Sequence, residues 1–173
     1  MKSVLLLAIA GFLTLGASAQ QDKSKRPSPP APVLTQTITG GTIVVIEYSV
    51  PSVKGRTIGK DLDPIPGKVW RAGANEATTF QVDKNVKVEG KDLPAGKYSL
   101  FMIDNGANWT IIFNKNANIW GTQYEQNKSA DALQVTVPAG KSSSFAEKLA
   151  YTISKDGTVT LVWGDKKVDF HVK

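Results

Sequence analysis

The sequence has no cysteine and only one histidine, and these scarcities remove whole classes of chemistry. Without cysteine there is no disulfide, no thiol nucleophile, no acylated N-terminal Cys and no Cys/His zinc site, so the fold rests on packing alone. His171 lies between Phe170 and Val172, whose alternation puts it on the polar face of a strand. A Ser-His-Asp triad would need it beside an activated serine, and no nucleophile-elbow pattern is present. Also missing are a Walker-type phosphate loop and a GxGxxG after a strand. Asp61-Leu62-Asp63 offers two carboxylates, short of the roughly six to eight oxygens around calcium. No cofactor and no metal are expected.

Long apolar runs are scarce too. The longest, Val4 to Leu15, is well short of the ~20 residues that span a bilayer. With Lys2 before it and Ala17-Ser18-Ala19 after it, the run reads as a secretory signal over residues 1–19, cleaved after Ala19. The expected location is therefore the periplasm or the cell exterior, with no membrane span after cleavage. Charge of one sign is not concentrated: 21 Lys and Arg stand against 15 Asp and Glu. The basic residues are interspersed except in Lys23-Ser24-Lys25-Arg26, so nucleic-acid binding, which needs a basic face with aromatics, is not expected.

What is present is β punctuation. Residues 20–32 carry four prolines and a basic cluster and read as a Pro-rich linker, mobile in its first half. Residues 33–173 read as a single β domain. Val33–Thr39 and Thr42–Ser49 flank Gly40-Gly41 as a hairpin; the second strand, with apolar residues on both faces, reads as central and covered on both sides. Thr79–Val82 and Val86–Glu89 suggest a smaller hairpin around Asp83-Lys84-Asn85. Lys97–Ile103 and Trp109–Phe113 flank Asp104-Asn105-Gly106 as core strands. Further on, Leu133/Val135/Val137, Leu149/Tyr151/Ile153, Val159/Leu161/Trp163 and Val168/Phe170/Val172 alternate with polar residues, with turns at Lys155-Asp156-Gly157 and Gly164-Asp165-Lys166. About ten short strands and no amphipathic helix predict an all-β, antiparallel sandwich, jelly-roll-like or barrel-like, with one long loop.

That loop, Pro51 to Ala77, is rich in proline, glycine and charge around one Trp. A stretch this long without periodicity is usually functional or disordered, and the embedded Trp argues against disorder. Arg56, Lys68, Trp70, Arg71, Asn75 and Glu76 are candidate ligand-binding residues. Arginine presents a planar fork of donors for carboxylates, phosphates or hydroxyls, and Trp a flat face for a sugar ring or a cation. Trp120, on a later loop with Gly121 and Tyr124, completes such a surface if the two loops meet. A structural reading stands beside this one: Trp70 plugs the core, Arg71 pairs with Glu76, and Gly73 and Asn75 supply left-handed backbone.

Arg26-Pro27-Ser28-Pro29-Pro30, Pro51-Ser52-Val53-Lys54-Gly55-Arg56, the run Gly67-Lys68-Val69-Trp70-Arg71-Ala72-Gly73-Ala74-Asn75-Glu76-Ala77-Thr78, and Leu93-Pro94-Ala95-Gly96-Lys97-Tyr98-Ser99-Leu100 form a specific pattern. On these residues the chain resembles the DUF2911 family, exported bacterial domains of unassigned function. The resemblance implies an envelope location and a β domain, and no reaction. Three functions stay open. The first is a non-catalytic module for a small polar or carbohydrate-like ligand at the 54–78 loop. The second is an envelope protein–protein interaction domain using Arg26 to Pro32 and an edge strand. The third is a hydrolase, for which Glu47, Glu76 and Glu125 are the glutamates near aromatic residues, although nothing in their spacing pairs them.

Overall fold

The computed structural model describes residues 22–173, so the leader expected at 1–19 and the cleavage point lie outside the described residues. Eleven strands and one short helix follow the N-terminal segment: β1 (Leu34–Thr37), β2 (Ile43–Glu47), β3 (Val69–Trp70), β4 (Thr78–Val82), β5 (Val86–Val88), β6 (Lys91–Leu93), β7 (Gly96–Asp104), β8 (Asn108–Asn114), α1 (Tyr124–Asn127), β9 (Asp131–Pro138), β10 (Gly140–Ile153) and β11 (Thr158–His171). The main sheet runs β1-β2-β4-β7-β8-β9, antiparallel throughout, and β3 pairs with the far end of β7. β10 and β11 form a long hairpin across its inner face. β5 and β6 form a short one, joined to the end of β11 by the Val88↔Val172 bridge and by the Lys87 and Lys173 amides exchanging bonds with each other's carbonyls. The result is two antiparallel layers around one core, as expected of a sandwich, and the sheets do not close into a barrel.

Alternation builds that core. Val44, Ile46, Phe80, Leu100, Met102, Ile111 and Phe113 point inward from the main sheet to meet Tyr151, Leu161, Trp163 and Phe170 from the long hairpin. Phe80, Phe113 and Phe170 touch edge-to-face or tilted, with centroids 5.1 to 6.1 Å apart, a geometry that suits aromatic quadrupoles. β7 and β8 are apolar on both faces for a reason outside the main core. Phe101 and Ile112 point outward, where the excursion between β8 and β9 covers them with Ile119 and Tyr124.

The Gly40-Gly41, Asp104-Asn105-Gly106 and Lys155-Asp156-Gly157 hairpins form as expected; Gly40 and Gly41 have φ of 94° and 76°. Three expectations need correction. β4 and β5 do not pair. Asp83 Oδ1 accepts from the Ile43 amide and Asn85 Oδ1 from the Ala95 amide, so this connection is tied to other strands while it crosses between layers. The turn that does close a hairpin is Glu89-Gly90, both left-handed. Gly164-Asp165-Lys166 is not a turn: β11 continues through it, and Gly164, at φ 62°, coincides with a shift of register against β10, as at a bulge. Finally, β2 is central, between β1 and β4, but covered only on its inner face: outward Ile43 is 39% exposed and Val45 half-buried, because among the described residues no second layer lies over that part of the sheet. The second half of the Pro-rich segment runs beside the end of β2, in line with β1. Ala31 donates its amide to the Tyr48 carbonyl (2.9 Å) and Val50 to the Pro29 carbonyl (2.8 Å), so the segment forms a strap along β2.

Candidate functional site

The 51–77 segment is ordered by its own polar groups, as a long connection must be. Pro51 and Val53 bond to β10 through Leu149 and Glu147. Arg56 turns back and donates from Nε to the Val53 carbonyl (3.1 Å) and from Nη2 to the Ser52 carbonyl (2.7 Å), so its fork closes its own turn. Lys68 is exposed on the turn before β3, whose Gly67 amide bonds to the Asp104 carbonyl. Among the described residues neither side chain bonds to the others proposed from sequence.

Trp70 is 2% exposed. Its ring tilts against Trp109 with centroids 6.4 Å apart, and Nε1 donates to the Gly73 carbonyl at 3.1 Å. It plugs the core, and its face is not offered to a ligand. Gly73 serves by size, since a Cβ there would stand 2.6 Å from Thr78 Oγ1. Asn75 is left-handed at φ 61°. Arg71 and Glu76 do not pair. Arg71 reaches Asp63 at 3.5 Å, and its stem packs so closely on Gly121 that a Cβ there would lie 2.1 Å from Arg71 Cδ. Asn75 and Glu76 turn the other way, to the N-terminal strap.

There Asn75 Nδ2 donates to the Ser28 carbonyl at 2.8 Å. Arg26 Nη1 straddles both oxygens of Glu76 at 2.9 and 3.1 Å, and Lys23 Nζ sits 3.0 Å from Oε1. Burial alone would push the Glu76 carboxyl up. Its own backbone N–H and the Lys23 and Arg26 donors outweigh burial and hold it at about 2, so it is ionised at neutral pH.

The two loops do meet. Glu76 and Trp120 form an antiparallel bridge, and the Ala77 and Gly121 amides donate to the Ile119 and Asn75 carbonyls. Between this junction and the strap the uncovered outer face of the sheet forms a cleft of about 540 Å³. Its floor is Glu47, Tyr48 and Ser49 from β2 and the stretch after it, with Thr79 from β4 and Lys97 from β7. Its walls are Glu76, the loop ending in Trp120, and the strap from Lys23 to Val33. Trp120 is 44% exposed, whereas the Tyr48 ring turns inward, edge-on to Tyr151 with centroids 4.9 Å apart, and its hydroxyl accepts from the Tyr151 amide. Tyr124 is not part of the cleft: it is buried against Phe101 and donates its hydroxyl to Asp131 at 2.8 Å.

Of the seven residues proposed from sequence, the structure therefore brings Glu76 and Trp120 to one cleft, with Asn75 just behind; it leaves Arg56, Lys68, Trp70 and Arg71 elsewhere. Sequence reasoning passed over Lys97, Thr79 and Lys23 as site residues and weighed Glu47 only as a glutamate near an aromatic residue. The signal for Glu47 is its place in an otherwise apolar strand, where alternation puts a charged residue on the outer face. Lys97 donates to it in a close ion pair, and Thr79 Oγ1 donates to it at 3.1 Å. The Lys97 bond holds the Glu47 carboxyl below its ordinary range, against a smaller opposing effect of burial. Segment 26–32, considered as a contact for an envelope protein, has backbone groups already engaged along β2. Among the described residues no three of His, Asp and Glu gather to hold a metal ion, and no helix is long and apolar enough to cross a membrane.

The fold and its cleft define a β-rich antiparallel domain with a groove of mixed polar and apolar lining, edged by Trp120, on the outer face of its main sheet. The chain belongs to the DUF2911 family, a family described as protein of unknown function, whose model matches residues 28–172. No curated protein and no solved structure matches the chain.

Proposed function

We propose that this domain is a non-catalytic binding module of the cell envelope that holds a small polar, carbohydrate-like ligand in the cleft between the strap and the Trp120 loop. The observation that carries the reading is an exposed Trp beside a floor of hydroxyls and charges, in a cleft of about 540 Å³. That volume suits a small ligand of roughly 300 to 1,000 Å³ sites. A ring stacks on Trp120 while Glu47, Thr79, Lys97 and Glu76 exchange hydrogen bonds with hydroxyls.

The protonation states favour binding over hydrolysis. A glycosidase acid must keep its proton near neutral pH, and both carboxyls of the cleft are lowered, not raised. Titrating the protein with a panel of neutral and charged oligosaccharides, followed by calorimetry and Trp fluorescence, tests the reading. One class of sugar should bind the wild type and lose at least tenfold in affinity with Trp120→Ala. Equal binding to Trp120→Ala, or release of a cleaved product at enzymatic rates, refutes it.

A further inference from the structure

Four charged side chains line the cleft, and they differ in how firmly they are held. Glu47, Lys97 and their neighbour Thr79 stand on strands of the main sheet, so that pair is fixed. Glu76 is backed by Arg26, whose side chain is 19% exposed and touches both carboxylate oxygens. Lys23 is different. It lies in the three-residue 3-10 turn Lys23–Lys25, its side chain is 51% exposed, and among the described residues its bond to Glu76 is the polar tie from that turn to the sheet. Next to that bond stands Trp120, opposite Glu76 in the bridge and therefore on the same side of the paired backbones.

We infer that the cleft selects a ligand bearing an ammonium group on a ring body, of the amino-sugar class, and that Lys23 Nζ holds the place this ammonium takes; the inference rests on the cleft being a sugar site. Exchanging one ammonium for another leaves the charge on Glu76 matched, and a half-exposed ion pair is close to neutral in free energy, so displacing Lys23 costs little. The ring body that carries the incoming cation gains the exposed face of Trp120, a contact that the Lys23 ammonium has no ring to make. A neutral sugar gains the ring contact but leaves Lys23 in place. An anionic sugar meets two ionised carboxylates whose cations it would have to draw away.

A matched pair of probes tests this: a glucosamine tetramer and its fully N-acetylated counterpart, titrated calorimetrically at pH 6 into the wild type, Lys23→Ala, Glu76→Gln and Trp120→Ala. The deacetylated tetramer should bind the wild type at least about tenfold more tightly than the acetylated one, the scale of a single charge-assisted bond. Lys23→Ala, which removes the competitor and leaves Arg26 on Glu76, should bind it up to about fivefold more tightly still. Glu76→Gln should reduce it to the level of the acetylated probe. Equal binding of the two tetramers overturns the ammonium inference and leaves the sugar reading standing. Binding of neither overturns both. Weaker binding to Lys23→Ala shows that Lys23 contacts ligand rather than yielding to it, and also overturns the inference.

Discussion

Replacing Glu76 with Gln removes the charge that anchors the strap while keeping shape and a carbonyl. A carboxyl held at about 2 instead of its ordinary 4.5 corresponds to at most ~3.4 kcal/mol, at ~1.36 kcal/mol per pH unit. The Glu76 side chain is 35% exposed, so solvent screening reduces this to ~1–2 kcal/mol. That free energy holds residues 23–31 on β2, and a peripheral segment of this kind opens without unfolding the core. The observables are the amide protons of Ala31 and Val50, which bond across the strap. In Glu76→Gln at pH 7 they should exchange with solvent about 5- to 30-fold faster, while core amides such as Phe113 keep their protection. Unchanged exchange at Ala31 and Val50 would mean that the backbone bonds alone hold the strap, and the reasoning from Glu76 would fail.

The same group gives a pH dependence. Its folded-state value is depressed, so its stabilisation is complete above the ordinary 4.5 and fades as pH falls toward 2; strap protection should drop over that interval in the wild type and stay flat in Glu76→Gln. The two tryptophans should separate cleanly in denaturant melts. Trp70→Ala, at 2% exposure, should cost ~3–5 kcal/mol, and Trp120→Ala, at 44%, less than ~1 kcal/mol; equal losses would refute the placement of either ring. Gly157→Ala forces a Cβ to 2.0 Å from the Val172 carbonyl at φ 89° and should lower stability by at least ~2 kcal/mol. Gly106→Ala, at φ 82° with nothing within 4 Å, should lose only ~1 kcal/mol. Thermal melts that rank these two the other way would show the C-terminal strand sitting elsewhere.

The strap and the cleft show why the two kinds of information diverge. Gly40-Gly41 and Asp104-Asn105-Gly106 join strands that are neighbours in the chain, and their positive φ requirement is written in the residues themselves, so those hairpins and the β class were legible at once. The alternation of Val159, Leu161 and Trp163 was legible for the same reason: it needs only the two-residue period of a strand. β4 had no such local partner. Its neighbours, β2 and β7, were fixed by which apolar faces could stack, and that separated it from β5 despite a plausible turn.

The candidate site lies mostly on the second side of this divide. Trp70 sits in a two-residue strand, too short to carry a period, so nothing local told a core plug from an exposed platform. Glu76 meets Arg26 across 50 residues, Asn75 meets Ser28 across 47, and Glu47 meets Lys97 across 50; no pattern of charge along the chain specifies such pairs. By itself the sequence determined the β class, the Gly40-Gly41, Asn105-Gly106 and Asp156-Gly157 turns and the alternation of the strands after residue 130, because each depends on a residue and its near neighbours. Only the tertiary structure decided that Trp70 turns in, that Arg71 and Glu76 part company, and that a proline-rich tail forms one wall of a cleft, because sheet order sets which distant side chains face one another.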